Sequence, residues 1–324
     1  MEDLVIAGDA DAYLDLVDLG DPVFGIEHSR WADDWASPNP VDEFQLSVTD
    51  LSIADTAATG TLAMSWAAGG QPTRTARLEV RFVLGADGRW RYAGERWVTE
   101  VFDHFSVHVA PGLEILTLEI AADLPAVYEQ VTGSLGYEPG SPMEIKVYED
   151  ASSLVAMTLL SLPDIRGWNE PGEALKVWAD PLEPPPTPAI AHEFTHFAIF
   201  DRAGTRHSRM PWWLEEGVAT FVAEPFGEPG NGDDRLALVR QWAADDDLAD
   251  WSEMAVFEDT PESLWPFVYS QGYALVRYVT ETYGEQARNA WLAAMAMDMD
   301  IEQASVARLG LSFAELVAAF EGWL

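Results

Sequence analysis

The residue pattern with the clearest chemistry is His192-Glu-Phe-Thr-His196, in which two histidines are four residues apart. Residues four apart lie on one face of a helix, so both imidazoles can point at one metal ion, and zinc binds histidine nitrogen well. Glu193 lies about 100° round the helix from His192, where its carboxylate can take a proton from a water molecule beside the metal. As ordinary core or surface residues, the three titratable groups would sit on a largely apolar helix without partners, which is costly. The pattern therefore predicts a hydrolytic metal site.

A hydrolytic zinc ion needs a third protein ligand and an open fourth position. The chain has no cysteine, so the third ligand must be a histidine, an aspartate or a glutamate. Two adjacent glutamates, Glu215 and Glu216, follow His196 after a stretch that can hold the end of one helix, a loop and the start of a second helix. The spacing is compatible with either glutamate as the third ligand.

The segment Trp213-Leu-Glu-Glu216-Gly-Val-Ala219 carries a family resemblance. With the His-Glu-x-x-His pattern, it resembles the gluzincin metallopeptidases of the MA clan, which follow that pattern with Trp-Leu-x-Glu-Gly-x-Ala. The resemblance implies one zinc ion per chain, bound by the two histidines and Glu216, with Glu193 as the general base. The stretch between the two motifs is one residue longer than is usual in the aminopeptidase branch, so Glu215 stays open as the alternative ligand.

A further segment, Tyr269-Ser-Gln-Gly-Tyr-Ala-Leu275, resembles the Tyr-x-Lys-Gly-x-Ala-Leu segment of the aminopeptidase and leukotriene-hydrolase branch. The resemblance implies that the Tyr269 hydroxyl donates a hydrogen bond to the oxyanion that develops during hydrolysis, which is a sound electrostatic role for a phenol. Gln271 replaces the lysine of the family. The alternative is that Tyr269 packs in a helical core, at helical spacing from Tyr273.

A weaker likeness lies upstream, where Gly167-Trp-Asn-Glu170-Pro-Gly172 has the spacing of the aminopeptidases' Gly-x-Met-Glu-Asn motif. It implies that Glu170 grips the free amino end of a substrate, just before a predicted edge strand at 174–178 that can pair with an extended peptide. A solvated glutamate in a turn is the alternative. His207, in the loop after the His192 helix, is a further candidate to reach the cleft, and a solvated loop histidine is its alternative.

These residues need a fold to position them, and the chain predicts an α+β fold in two domains, 1–103 and 104–324. In the first domain, alternating apolar and polar residues between turn signals predict an antiparallel meander. In the second, alternating strands and helices predict a mixed α/β layer, followed by a mostly helical part. The predicted strands are 44–49, 59–66, 76–83, 89–92, 105–109, 143–148 and 174–178. The predicted helices are 9–19, 113–135, 151–162, 188–201, 212–224, 233–246, 262–283, 285–299 and 312–323.

The first domain resembles the SnoaL-like fold, which is related to nuclear transport factor two. The resemblance lies in its order of a helix followed by alternating apolar and polar strands, and in the run Gly88-Arg-Trp-Arg-Tyr-Ala-Gly-Glu95. That resemblance implies an N-terminal helix and a curved, cone-like antiparallel sheet that wraps it. For the second domain, the gluzincin resemblance implies a thermolysin-like catalytic domain.

The charge of the chain restricts its partners. It carries 18 Lys+Arg against 55 Asp+Glu, a formal charge of −37, and its two lysines are Lys146 and Lys176. Such a polyanion cannot readily neutralise phosphates, which argues against nucleic acid and anionic membrane surfaces as partners. No apolar run reaches the roughly 18 residues of a membrane span. The N-terminus lacks the basic and apolar regions of a signal peptide, so we expect either a cytoplasmic protein or a chain whose start was removed. Of these two, the scarcity of lysine favours an extracellular or cell-surface protein.

Taken together, the residues and the resemblance predict a zinc-dependent peptidase that hydrolyses peptides or proteins without a covalent intermediate. One alternative is a catalytically idle, peptidase-like binding protein, although the intact Glu193 argues against it. The other is a small-molecule-binding N-terminal module with an accessory zinc domain.

Overall fold

The computed structural model describes residues 1–36, 39–204 and 209–324. By their packing, these residues form two compact units. Unit 1 comprises Met1–Leu124 and Pro142–Pro186, and unit 2 comprises Pro125–Ser141 and Thr187–Leu324. Helix α4, Glu114–Leu135, contributes residues to both units.

Sheet A of unit 1 is an antiparallel meander with the strand order β1-β2-β3-β4, preceded by three helices. The helices are α1 (Glu2–Ala7), α2 (Ala10–Leu14) and α3 (Pro22–Ala36), and the strands are β1 (Val41–Ala54), β2 (Ala57–Ala68), β3 (Arg74–Leu84) and β4 (Trp90–Glu95). Buried side chains alternate along β2, with Leu62, Met64 and Trp66 on the core face. The strand pairing has register shifts at Thr49/Ser52 in β1 and at Val80/Phe82 in β3.

Sheet B, also in unit 1, has the strand order β5-β6-β7-β9-β8. Its strands are β5 (Val98–Val101), β6 (Phe105–Val109), β7 (Met143–Tyr148), β8 (Gly167–Trp168) and β9 (Leu175–Trp178), and α5 (Ala151–Ala156) follows β7. The three central strands are parallel, and the two outer strands run antiparallel to their neighbours. Val107, Ile145 and Val177 on the parallel strands are fully buried, as expected where both faces of a sheet are covered.

The predicted boundary between residues 103 and 104 falls inside sheet B, because β5 pairs with β6 across it. Helix α3 and strand β2 also form hydrogen bonds with the segment 142–186. The Trp31 indole N–H donates to the Ala156 carbonyl, and the Trp66 indole N–H donates to the Leu160 carbonyl. The compact units therefore divide the chain differently from the predicted domains, and the division between two families stays a prediction.

Every regular element that the structure describes in unit 2 is helical. After the end of α4 come α6 (Thr187–Ala203), α7 (Trp212–Ala223), α8 (Asn231–Ala244), α9 (Trp265–Tyr283), α10 (Glu285–Ala296), α11 (Ile301–Arg308) and α12 (Phe313–Trp323). Short 3-10 turns at Trp251–Met254, Phe257–Asp259 and Glu262–Leu264 connect α8 to α9.

The α+β class, the antiparallel sheet, the mixed sheet and the helical C-terminal part are confirmed. The strand predicted at 174–178 exists as β9, but its prediction as an edge strand is wrong, because β8 pairs with it at Gly167↔Val177 and Trp168↔Lys176. A two-residue strand is too short to show a period of its own in the sequence. Among the described residues, no helix combines the length and the apolar character that a membrane span requires.

Candidate metal centre

Helix α6 holds the two histidines one turn apart in an aromatic setting. Phe194 is buried and stacks with Tyr128 and Phe197, at ring-centroid distances of 5.8 and 6.1 Å. Phe200 stacks on the His196 ring at 5.9 Å. These contacts fix the rotation of the helix about its axis and hold one imidazole in place.

Helix α7 supplies the third member of the site. Its first backbone N–H groups already have acceptors, because Trp212 donates to the Ala255 carbonyl and Leu214 and Glu215 donate to the Pro211 carbonyl. This bonding fixes the start of the helix. Glu216 follows in the first turns and is buried.

The ligand atoms of the predicted metal site form a compact triangle. Glu216 Oε2 lies 3.0 Å from His192 Nε2 and 3.5 Å from His196 Nε2, and the two Nε2 atoms are 3.2 Å apart. A tetrahedral zinc ion with bonds of about 2.0–2.1 Å holds its ligand atoms about 3.3 Å apart. Two histidines and one glutamate are also a donor set of catalytic zinc sites, in which the fourth position takes water or substrate. The residues present therefore fit a zinc ion.

The electrostatics of the triangle favour a cation. Burial lowers the pKa of His192, although the neighbouring Glu216 carboxylate opposes the shift. Burial acts on His196 in the same direction, but the Glu216 carboxylate outweighs it and raises the pKa of His196 to about 9. The imidazoles in turn hold the pKa of Glu216 well below its ordinary value, against the effect of its burial. The Glu216 carboxylate between two imidazoles thus favours a positive charge at this position, and a divalent cation would displace a proton held there.

Trp212, which lies outside the family motif, orients the third ligand. Its indole N–H donates a buried hydrogen bond of 3.0 Å to Glu216 Oε1, so the other carboxylate oxygen, Oε2, faces the imidazoles. The Trp212 ring is enclosed by Phe257 and Trp265, at centroid distances of 5.1 and 5.7 Å. The tryptophan of the family motif, Trp213, instead packs against Trp251 at 4.4 Å.

His196 lacks support of this kind within the described part of the chain. Metal-binding histidines commonly donate their second ring N–H to a carbonyl or carboxylate. Here the Nδ1 atom of His196 is buried and has no hydrogen-bond partner in the described part of the chain. Glu216 therefore has an outer hydrogen-bond donor that His196 lacks.

Tyr269 on α9 reaches the triangle. Its ring centroid lies 6.2 Å from that of His192. Burial, followed by the Glu216 and Glu193 carboxylates, raises the pKa of Tyr269 well above its ordinary value, so the phenol keeps its proton and can donate it in a hydrogen bond. The structure thus brings Tyr269 to the candidate site, whereas Tyr273 is buried within the helical unit.

Two glycines let α7 and α9 approach each other so closely. A Cβ on Gly272 would lie 2.2 Å from the Trp213 carbonyl oxygen, and a Cβ on Gly217 would lie 2.4 Å from the Gly272 carbonyl carbon. The two backbones are therefore in direct contact. Gly217 directly follows Glu216, and Tyr269 lies one turn before Gly272, so this crossing sets the distance between the two functional side chains.

Gln271, where the family has lysine, has a structural role. Its side chain is fully buried and exchanges two hydrogen bonds with the backbone of Ala249. The Ala249 N–H donates to Gln271 Oε1, and Gln271 Nε2 donates to the Ala249 carbonyl, both at 3.0 Å. The amide fixes α9 to the chain segment after α8.

The remaining predicted residues are Glu193, Glu215, Glu170 and His207. Glu193 is buried on α6, and its charge contributes to the raised pKa values of His196 and Tyr269, so it lies within electrostatic reach of the triangle. Glu215 is half-buried and outside the triangle, which Glu216 completes. Glu170 lies in unit 1, in a turn closed by the Glu173 N–H, and its substrate role stays a prediction. His207 lies outside the described residues.

Comparison with models of known protein families gives no match. Comparison with curated protein sequences gives no match either. Among the solved structures that match is native yeast LTA4 hydrolase, with 14% sequence identity and a TM-score of 0.46 over 87% of this chain and 44% of that one. The chain thus spans less than half the length of that protein. At this level of similarity, the match establishes neither the family nor the activity of the chain.

Proposed function

We propose that the chain is a zinc-dependent peptidase of the gluzincin type. The observation that carries the proposal is the triangle of His192 Nε2, His196 Nε2 and Glu216 Oε2, with edges of 3.0 to 3.5 Å, in a buried setting. Its dimensions and its donor set suit catalytic zinc. A structural zinc site would call for a fourth protein ligand, and the described residues offer a cluster of three.

The side chains around the triangle have separate roles in this proposal. When bound, a zinc ion would supply Lewis acidity and lower the pKa of a water molecule. Glu193 accepts a proton from the attacking water and delivers it to the nitrogen of the leaving amine. The Tyr269 hydroxyl donates a hydrogen bond to the carbonyl oxygen as that oxygen gains negative charge. Trp212 keeps Glu216 Oε2 directed at the imidazoles.

The substrate, the location and the N-terminal family belong to the proposal as well. Peptides with basic or amino-terminal groups suit the charge of −37, because a negative field attracts cations. The chain has two lysines and both are buried, which fits an exterior or saline setting. Activity that persists in molar NaCl would support that location. A SnoaL-like N-terminal part is supported by its helices and its antiparallel meander.

Digestion of a synthetic peptide library, read by mass spectrometry, tests the proposed activity. Zinc-loaded wild type should cleave peptides, and the positions of the cuts distinguish N-terminal trimming from internal cleavage. Glu193→Gln should retain zinc and lose activity by at least about 100-fold, since it cannot accept the proton. Glu215→Gln is the matched control and should remain active.

Two outcomes would contradict the proposal. Unchanged hydrolysis by Glu193→Gln would remove the general base. Full zinc loading of the wild type without any cleavage would favour the catalytically idle binding protein.

A further inference from the structure

Unit 1 contains an open cavity of about 440 Å³, a volume within the range of small-molecule sites. It is formed by α3, by β3 and β4 of sheet A and by β5 to β7 of sheet B, all within unit 1. The rings of Phe24 and Trp97 contribute to its wall beside several charged groups. The proposed peptidase chemistry makes no use of this cavity.

Glu95 is the buried carboxylate of the cavity wall. The residue is only 5% exposed, and no cation in the described part of the chain forms an ion pair with it. Burial raises the pKa of Glu95, even though the charges of Lys146 and Lys176 act in the opposite direction. A buried carboxylate without a paired cation is costly, so a positive group that enters the cavity would gain strongly from meeting it.

The lysines near Glu95 are already committed to other carboxylates. Lys146 forms a hydrogen-bonded ion pair with Glu27, and Lys176 Nζ lies 3.0 Å from Glu173 Oε2 and 3.7 Å from Glu27 Oε1. The buried lysines therefore pair with Glu27 and Glu173, and neither forms an ion pair with Glu95. Glu173 forms a second ion pair, with Arg30 at 2.8 Å.

The arginine side chains in the wall are likewise engaged. Arg81 donates from Nε to the Glu95 carbonyl and from Nη2 to the Ala93 carbonyl. Arg96 is half-exposed, and its guanidinium lies 3.8 Å from Glu79. Asp18 and Asp21 add negative charge to the same wall. Lys146 also lines the cavity, so the wall holds four acidic side chains against three basic ones, and its formal charge of −1 favours a cationic ligand.

A second polar group is available on the strands of sheet B. His108 Nδ1 is hydrogen-bonded to Thr99 Oγ1 at 2.9 Å, whereas His108 Nε2 is buried and has no hydrogen-bond partner among the residues that the structure describes. Glu144 Oε2 lies 3.9 Å from that nitrogen, which is too far for a direct hydrogen bond. When the His108 ring proton is on Nδ1 and is donated to Thr99 Oγ1, a ligand N–H group close to both atoms could donate to His108 Nε2 and Glu144 Oε2.

We propose that the cavity of unit 1 binds a small organic amine as its ammonium ion. Glu95 pairs with the positive charge, Glu144 Oε2 and His108 Nε2 accept N–H hydrogen bonds, and the Phe24 and Trp97 rings contact the organic part of the ligand. Aromatic rings add cation–π attraction for such a group. This site is separate in its chemistry from the proposed zinc centre, and its occupancy can be measured without any peptidase assay.

Isothermal titration calorimetry of the full, zinc-loaded chain with 2-phenylethylamine tests the proposal. The amine should bind saturably at one equivalent, and the matched neutral 2-phenylethanol and anionic 3-phenylpropionate should bind at least about tenfold more weakly. Glu95→Gln should weaken amine binding by at least about tenfold, the order expected for the loss of one charge-assisted hydrogen bond. Glu144→Gln should weaken it less, because Glu144 is 40% exposed.

Glu43→Gln is the matched control, since Glu43 is an exposed carboxylate on β1 of the same unit. It should bind the amine as the wild type does, which separates a site from general attraction to an acidic surface. Equal weakening by Glu43→Gln and Glu95→Gln would overturn the proposal. Absence of saturable binding to the wild type, or binding that neither Glu95→Gln nor Glu144→Gln weakens, would also overturn it.

Discussion

Replacing Trp212 with phenylalanine tests whether its indole N–H directs Glu216 toward a metal. The substitution keeps an aromatic ring next to Phe257 and Trp265 but removes the donor that lies 3.0 Å from Glu216 Oε1. A hydrogen bond to a charged group contributes about 1.5–3 kcal/mol. Without that bond, the carboxylate loses a buried partner and can rotate away from the orientation in which Oε2 faces both imidazoles.

The expected consequence is weaker zinc binding. Loss of an outer partner of a metal ligand typically costs about 10–100-fold in metal affinity. We expect Trp212→Phe to fall in that range. The assay is a competition titration of the metal-stripped protein with a chelator of known zinc affinity at neutral pH. Thermal unfolding with and without zinc provides a second readout. A ligand stabilises the folded state by an amount that grows with the logarithm of its free concentration divided by its Kd.

Trp213→Phe is the matched control. Trp213 is fully buried, packs against Trp251 and Phe313, and belongs to the core of unit 2. Its truncation should lower the free energy of unfolding while leaving the zinc affinity of the folded protein within about twofold. If Trp212→Phe binds zinc as tightly as the wild type, or if both variants lose affinity equally, the assigned role of the indole is refuted.

Three further predictions concern the ligand register, the helix crossing and the cavity. Glu216→Ala should lower zinc affinity by more than about 100-fold in the same titration, while Glu215→Ala should change it by less than about twofold. If Glu215→Ala causes the larger loss of affinity, the third ligand lies one residue earlier. Gly272→Ala should destabilise the protein by about 3 kcal/mol or more in denaturant unfolding and should weaken hydrolysis. The added Cβ would lie 2.2 Å from the Trp213 carbonyl oxygen and would force α7 and α9 apart by about 1 Å. A stable, fully active variant would contradict the close crossing of these two helices. Burial raises the folded-state pKa of Glu95 above 4.5. The free energy of unfolding of the wild type should therefore fall relative to that of Glu95→Gln as pH rises from 4.5 through the raised pKa. A difference in unfolding free energy that does not vary with pH would show that burial does not raise this pKa.

Helical periodicity alone was sufficient to predict the histidine pair, because residues four apart on one helix must share a face. Choosing Glu216 over Glu215 needed the family resemblance, since the loop before α7 allows both. The same periodicity places Trp212 beside Glu216, four residues later, so a signal for this contact was present in the sequence. Adjacent tryptophans obscured it, because the family motif draws attention to Trp213.

Long-range packing accounts for what the sequence could not predict. Nothing in the strand pattern indicates that β8 adds to the edge of sheet B, or that β5 and β6 pair across the predicted boundary at 103/104. The backbone contact at Gly217 and Gly272 depends on how two distant helices cross. The cavity of unit 1 is assembled from α3 and five strands, and its buried Glu95 is one of 55 acidic residues in the sequence.

His192, His196 and Glu216 are proposed to hold one zinc ion. Native mass spectrometry of the chain after incubation with zinc and removal of the excess measures this directly. We expect one zinc per chain in the wild type and in Glu193→Gln, and none in His196→Ala. A wild-type chain without zinc, or a His196→Ala chain that retains it, would contradict the assignment.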